Sequence, residues 1–121
     1  MFFVVSGPSG SGKTTLSSRV IEGIDNLRFV ISYTTRKMRA GETNGNDYRF
    51  VDVETFREMI DNNEFAEWAI VHGNYYGTPA EDIIKSRESD EDLLLDINID
   101  GAMNIKKKFE NGVYIFLLPP S

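Results

Sequence analysis

Residues 7–14, Gly7-Pro8-Ser9-Gly10-Ser11-Gly12-Lys13-Thr14, have the spacing GxxxxGK[ST], with Thr15 next in line. Glycines let a backbone curl around an anion and turn its N–H groups inward. A helix opening at the end of such a loop adds unpaired donors and a positive dipole end. Lys13 can reach β- and γ-phosphates as a point charge. The Thr14 hydroxyl can ligate Mg²⁺. The chemistry is that of a nucleoside triphosphate site. A chance Gly/Ser turn with a solvated lysine is the alternative, and the flanking elements weigh against it. Further on, Leu93-Leu94-Leu95 leads into Asp96. An acid at the carboxyl end of a buried strand faces the ligand crevice of a parallel sheet and can hold Mg²⁺, directly or through water. Taken alone, Asp96 would read as a turn cap. Arg36, Lys37 and Arg39 put three of the chain's 13 basic residues into four positions. Arginine forks pair bidentately with phosphate oxygens. Tyr48 and Tyr76 bring hydroxyl donors on flanking segments, although a packed ring with a wet hydroxyl explains either one alone.

These groups need elements to position them. Phe2–Val5 is an uninterrupted apolar run and reads as a strand buried on both faces. After the phosphate loop, Leu16, Val20, Ile21 and Ile24 share one helical face, and Phe29–Ile31 reads as a second strand. Residues 36–47 have loop chemistry. Tyr48–Val53 can form a strand, and Asp52 can cap a helix with Phe56, Met59 and Ile60 on its apolar face. Glu64–Val71 reads as a strand turning at Gly73-Asn74. Thr78-Pro79-Ala80-Glu81 has the pattern of a helix start, with a Thr cap, Pro at the first turn and Glu for a capping box. That helix is expected to run to about Arg87. Leu93–Ile97 is a strand, Asp100 can cap a helix bearing Ala102, Ile105 and Phe109, and Val113–Leu118 reads as another buried strand. The order implies right-handed parallel crossovers. By pattern, Phe2, Phe3, Phe29 and Phe116 are core, Trp68 packs, His72 is a loop histidine, and Lys106–Lys108 is a solvated helix face.

Composition narrows the classes. The chain has 121 residues, net charge −6, no cysteine and one histidine. Disulfides, thiol nucleophiles and thiolate zinc sites are excluded, as are multi-histidine metal sites. The acidic balance argues against a broad nucleic-acid-binding face, so an anionic ligand needs a local exception such as Arg36–Arg39. No apolar run is long enough to span a bilayer, and the first residues lack a basic leader, so a cytoplasmic protein is expected. Residues 1–33 and 91–121 form the expected core, and the polar, Gly-rich segment 34–90 an insertion into it.

Ser32-Tyr33-Thr34-Thr35-Arg36-Lys37-Met38-Arg39-Ala40-Gly41-Glu42 resembles the acceptor-binding segment of guanylate kinases. So do Asn44-Gly45-Asn46-Asp47-Tyr48, Glu64-Phe65-Ala66-Glu67-Trp68-Ala69 and Gly73-Asn74-Tyr75-Tyr76-Gly77-Thr78, in the same order along the chain. The resemblance implies a P-loop α/β core, three-layered with a parallel sheet, plus an inserted small mixed α+β domain that binds a nucleoside monophosphate. It implies transfer of the γ-phosphoryl of ATP to GMP or dGMP, with Mg²⁺. Gly7–Thr15 would take the ATP phosphates, Thr14 and Asp96 the metal, and Arg36, Arg39, Tyr48 and Tyr76 the GMP phosphate. Lys13, Arg36 and Arg39 would be the catalytic cations. Glu67 would accept from guanine N1–H and N2–H, with Ser32 and Thr78 completing base recognition. A carboxylate there meets a lone pair in adenine, and such sites reject the unpaired analogue by up to ~10⁴–10⁵. Asn98 stands where the family usually has an acid; its side-chain oxygen can still accept a hydrogen bond. Asp100 replaces a common Gln and has no functional account. In the family a lid with further arginines follows this region, so little turnover is expected of the 121-residue chain by itself. Two other readings remain: a guanylate-kinase-like protein-interaction module, against which Gly12, Lys13 and Thr14 stand, and a P-loop kinase for a phosphorylated sugar, against which Glu67 and Asn74-Tyr75-Tyr76-Gly77 stand.

Overall fold

An apolar run such as Phe2–Val5 has no polar face to turn to water, so its strand must be covered on both sides. In the structure, a computed structural model, residues 2–6, 27–86, 88–89, 91–97 and 99–116 are described. The phosphate loop, the helix expected after it, Asn98 and residues 117–121 lie outside them. The described chain divides into two units, one of residues up to Val30 and from Ile83 onward, the other Ile31–Asp82.

The first unit is built on a parallel sheet of β1 (Phe2–Ser6), β2 (Leu27–Phe29), β7 (Asp92–Asp96) and β8 (Val113–Phe116), in the order β2-β7-β1-β8. All three pairings are parallel, with Val5 opposite Asp96 and Ile115. Leu93, Leu94 and Leu95 are at most 1% exposed in the middle of this sheet. Each contributes about 1.5–3 kcal/mol relative to an exposed side chain. Helix α3 (Ile99–Lys108) packs against β1 and β8, with Ala102 and Ile105 fully buried. Lys106, Lys107 and Lys108 are exposed on its last turn.

Several expectations need correction here. The second strand lies two residues earlier than read, at Leu27–Phe29, because its pairing with β7 is set by Asp92–Leu94. Helix α3 begins at Ile99, so Asp100 sits in its first turn and is not its cap. Val113–Phe116 lies at an edge of the described sheet and is only partly covered; Phe116 is 40% exposed and is not core. Phe3 and Phe29 are half-buried, and Phe2 is core.

The second unit has a mixed sheet in the order β4-β3-β6-β5, from β3 (Tyr33–Thr34), β4 (Arg49–Phe50), β5 (Phe65–Val71) and β6 (Asn74–Pro79). β3 pairs parallel to β4 and antiparallel to β6, and β5 with β6 forms an antiparallel hairpin. The hairpin turns on His72 and Gly73, one residue earlier than read; both have positive φ, at 51° and 80°. Two such residues are what a tight hairpin turn requires. Helix α1 (Val53–Asp61) is capped as expected: Asp52 accepts the Thr55 N–H at 2.7 Å. Phe56 is fully buried, and Met59 and Ile60 are half-buried. The Phe56 ring stacks on Phe65 at 4.5 Å and tilts against Tyr75 at 5.0 Å. The expected strand Tyr48–Val53 shrinks to Arg49–Phe50, since the cap and helix take its end.

Helix α2 (Ala80–Ser86) does not start where the capping-box pattern puts it. Strand β6 continues through Pro79, which pairs with Phe65, and the Ala80 N–H donates to the Glu64 carbonyl. Thr78 is therefore a strand residue. Among the described residues, no helix is long and apolar enough to cross a membrane.

Candidate functional site

The cationic segment 36–42 is anchored by the threonines that precede it. The buried Thr34 hydroxyl donates to the Tyr75 carbonyl at 2.8 Å and accepts the Arg36 N–H at 3.2 Å. Thr35 and Tyr75 exchange two further hydrogen bonds. Strand β3 is thus locked to β6, and Thr34 lies opposite Tyr76. After Arg36 the chain turns at Arg39–Glu42, where the Glu42 N–H donates to the Arg39 carbonyl at 3.1 Å and Gly41 has φ +86°. A glycine with that φ at the third position is the signature of a type II turn.

Arg36 is the centre of the cluster. Its guanidinium donates to both carboxylate oxygens of Glu42, at 3.0 and 2.8 Å, and to the Lys37 carbonyl. It also lies over the rings of Tyr48 and Phe50, 5.3 and 5.7 Å from their centroids. Tyr48 in turn meets Tyr76 edge-on at 5.9 Å. Glu42 above all, and Tyr76 to a lesser degree, push the Arg36 pKa up. Burial raises the Tyr48 phenol, so it remains an O–H donor at neutral pH. Arg39 is exposed on the turn. An anion at this corner meets a fixed guanidinium and two phenol donors.

The hairpin carries the second group. Between Phe65 and Glu67 the pairing of β5 with β6 shifts, leaving Ala66 as an extra residue. This bulge re-phases the alternation. Glu67 then faces Thr78 directly, and the Thr78 hydroxyl donates to Glu67 Oε1 at 3.3 Å. Ala69 faces Tyr76. Tyr76 and Thr78, two residues apart in one strand, point to the same face. Trp68 and Ile70 take the other face, 42% and 56% exposed, with Trp68 tilted against Tyr75 at 5.9 Å. Ser32 is half-buried, and its carbonyl accepts the Arg49 N–H.

Arg36, Tyr48 and Tyr76 thus form one contiguous cluster, and Glu67 of β5 with Thr78 of β6 a second on the same sheet. Asp96 belongs to the other unit, half-buried at the carboxyl end of β7 beside Val5. Gly7–Thr15 and Asn98 lie outside the described residues. Two contributors have no role in the sequence reading. Thr34 is fully buried, and Glu42 binds both Arg36 and the turn. The available signal for Glu42 was an acid set three residues after Arg39 inside an otherwise cationic segment.

A GxxxxGKT sequence following the first strand of a parallel α/β sheet, with a mixed sheet that carries Arg36 beside two tyrosines and a carboxylate, is the pattern of the P-loop nucleoside monophosphate kinases. The family model described as guanylate kinase matches residues 2–121. The chain is 51% identical over its whole length to a guanylate kinase of Geobacter metallireducens and 50% to that of Geobacter sulfurreducens. It matches the crystal structure of guanylate kinase from Anaplasma phagocytophilum with a TM-score of 0.83 and 35% identity, covering all of this chain and 61% of that one. The chain belongs to the guanylate kinase family. It spans about 60% of the length of the curated relatives it matches.

Proposed function

We propose that the protein transfers the γ-phosphoryl of ATP to GMP or dGMP in the cytoplasm, giving ADP and the guanosine diphosphate, and that unit Ile31–Asp82 binds the acceptor. The observation that carries this reading is the shared face of Tyr76, Thr78 and Glu67, continued through Tyr48 to Arg36. A ligand lying along that face has its phosphate at the arginine end and its base at the carboxylate.

On this reading Arg36, Arg39, Tyr48 and Tyr76 hold the acceptor phosphate. Its attacking oxygen is already anionic, so no general base is required. Glu67 accepts from guanine N1–H and N2–H, and the Thr78 hydrogen bond keeps that carboxylate aimed. Ser32 and Asn98 add base contacts. Gly7–Thr15 cradle the donor phosphates, with Lys13 as their counter-charge. Catalysis then rests on holding two nucleotides in line and on neutralising the migrating group.

Asp96 offers hard oxygen at a strand end, where a carboxylate suits Mg²⁺; this ion keeps several waters and needs one or two protein oxygens beside substrate phosphates. Thr14 and Asp96 would hold it, and when bound it screens charge on the donor phosphates.

The deciding experiment is ADP release with GMP, dGMP, AMP and UMP as acceptors, using the protein expressed from its complete gene. Turnover with GMP and dGMP and little with AMP is expected. Equal turnover of AMP would overturn the guanine assignment.

A further inference from the structure

Resting on the acceptor reading above, we propose that Glu42 is the positioning residue of the phosphate subsite, fixing the Arg36 guanidinium and the Arg39 turn with one carboxylate. Its two oxygens take two parallel hydrogen bonds from Arg36, at 3.0 and 2.8 Å. Oε1 also accepts the backbone N–H of Arg39 at 2.7 Å. Both side chains are well covered, 11% and 19% exposed, although Lys37 through Gly41 between them are exposed. Such a pair in an open loop is held by geometry and not by burial of the loop. The rings of Tyr48 and Phe50 bound the guanidinium, so its plane and its position are both set. A guanidinium has five N–H donors. Glu42 and the Lys37 carbonyl use three. The remaining donors lie beside the hydroxyls of Tyr48 and Tyr76, and the carboxylate occupies only one edge of the fork. Glu42 therefore orients Arg36 without exhausting it.

The carboxylate remains ionised throughout the working pH range, because the Arg36 hydrogen bonds and then the Arg39 N–H hold its pKa down at about 2. Gln is the isosteric probe: it keeps an acceptor for one contact and turns an N–H₂ toward an Arg36 N–H. Misplacing a clamp by about 1 Å costs up to ~10²-fold.

The test is a double-mutant cycle on the protein from its complete gene, with GMP and ATP kinetics and GMP titration calorimetry. Glu42→Gln is expected to raise the GMP KM by roughly ten- to a hundredfold and leave the ATP KM unchanged. In an Arg36→Ala background, the same change is expected to add less than about twofold. Additive effects in the two backgrounds would reduce Glu42 to loop structure and overturn the proposal. Tighter GMP binding by Glu42→Gln would make Glu42 a competitor of the phosphate and also overturn it. Glu42→Asp, which keeps the charge one methylene short of the double contact, is expected to impair GMP use as well; full activity in it counts against the geometry. A parent protein without GMP affinity would instead remove the acceptor reading, and this inference with it.

Discussion

Gly77 is the residue at which fold and site are most tightly joined. It lies in β6, opposite Tyr33 on one side and Trp68 on the other, between Tyr76 and Thr78, the two residues of this strand proposed to contact the acceptor. A Cβ built there would lie 2.6 Å from two atoms of the Phe65 ring and 2.9 Å from Phe56 Cζ. Carbon atoms pack best at about 3.5–4.0 Å, so the overlap is close to 1 Å. Phe65 has little room to retreat. It stacks on Phe56 at 4.5 Å and takes the edge of Tyr33 at 5.9 Å, and Phe56 is fully buried. Relief requires tilting both rings or opening the β6 ladder. The backbone itself would accept Ala, since its φ is not in the left-handed region. Overpacking of this kind costs about 1–3 kcal/mol, offset by about 0.4–1 kcal/mol from the stiffer unfolded chain. Gly77→Ala is therefore expected to destabilise by about 1–2 kcal/mol and to lower Tm by roughly 4–15 °C. Circular-dichroism melting and a urea titration with unchanged m would measure it. GMP affinity should fall with it and ATP affinity should not, because on the proposed function the displaced strand contacts the acceptor and not the donor. An unchanged or higher Tm would show that the Phe56–Phe65 stack has slack and would refute the steric account.

With Glu67 accepting from guanine as proposed, Glu67→Gln replaces an acceptor with a donor facing the guanine N–H groups. It is expected to lower kcat/KM for GMP by roughly a hundredfold or more while the KM for ATP holds; an unaltered preference for GMP over AMP would contradict it. Glu42 has its pKa lowered from 4.5 to about 2, so the stability that its pairing with Arg36 contributes is complete above the unfolded value and lost as pH falls toward 2. The Tm gap between parent and Glu42→Gln should be constant above about pH 5 and close with acidification; a gap independent of pH would refute the assignment. Gly73→Ala meets no atom within 4 Å but must adopt φ +80°. A purely conformational loss of about 1–2 kcal/mol is expected by denaturant titration, with no change in the GMP KM relative to the folded fraction.

How far the sequence could be read depended on the range of the interactions involved. Strands β1 and β7 are visible because Phe2–Val5 and Leu93–Leu95 are continuous apolar runs, and burial on both faces leaves no other use for them. The Asp52 cap is visible because it is made within four residues. Strand β3, two residues long, is too short to show any period, and β4 keeps only two residues of the longer strand expected there. Thr78 shows how a local signal loses to a distant one. Thr-Pro-Ala-Glu is a good helix start, yet the same threonine is claimed by the ladder to Glu67, eleven residues earlier, and the ladder prevails. That ladder in turn depends on Ala66. Without the bulge, simple antiparallel counting from Phe65–Pro79 would set Ala66 opposite Thr78 and Glu67 opposite Gly77, on the face of Phe56 and Phe65. The carboxylate would then be directed into the aromatic packing instead of toward the tyrosines. Residue types and spacing were enough to suggest a carboxylate for guanine and arginines for phosphate. That Glu67 shares the sheet face of Tyr76 and Thr78 follows from a single extra residue, whose effect is set by strand pairing and not by any local pattern.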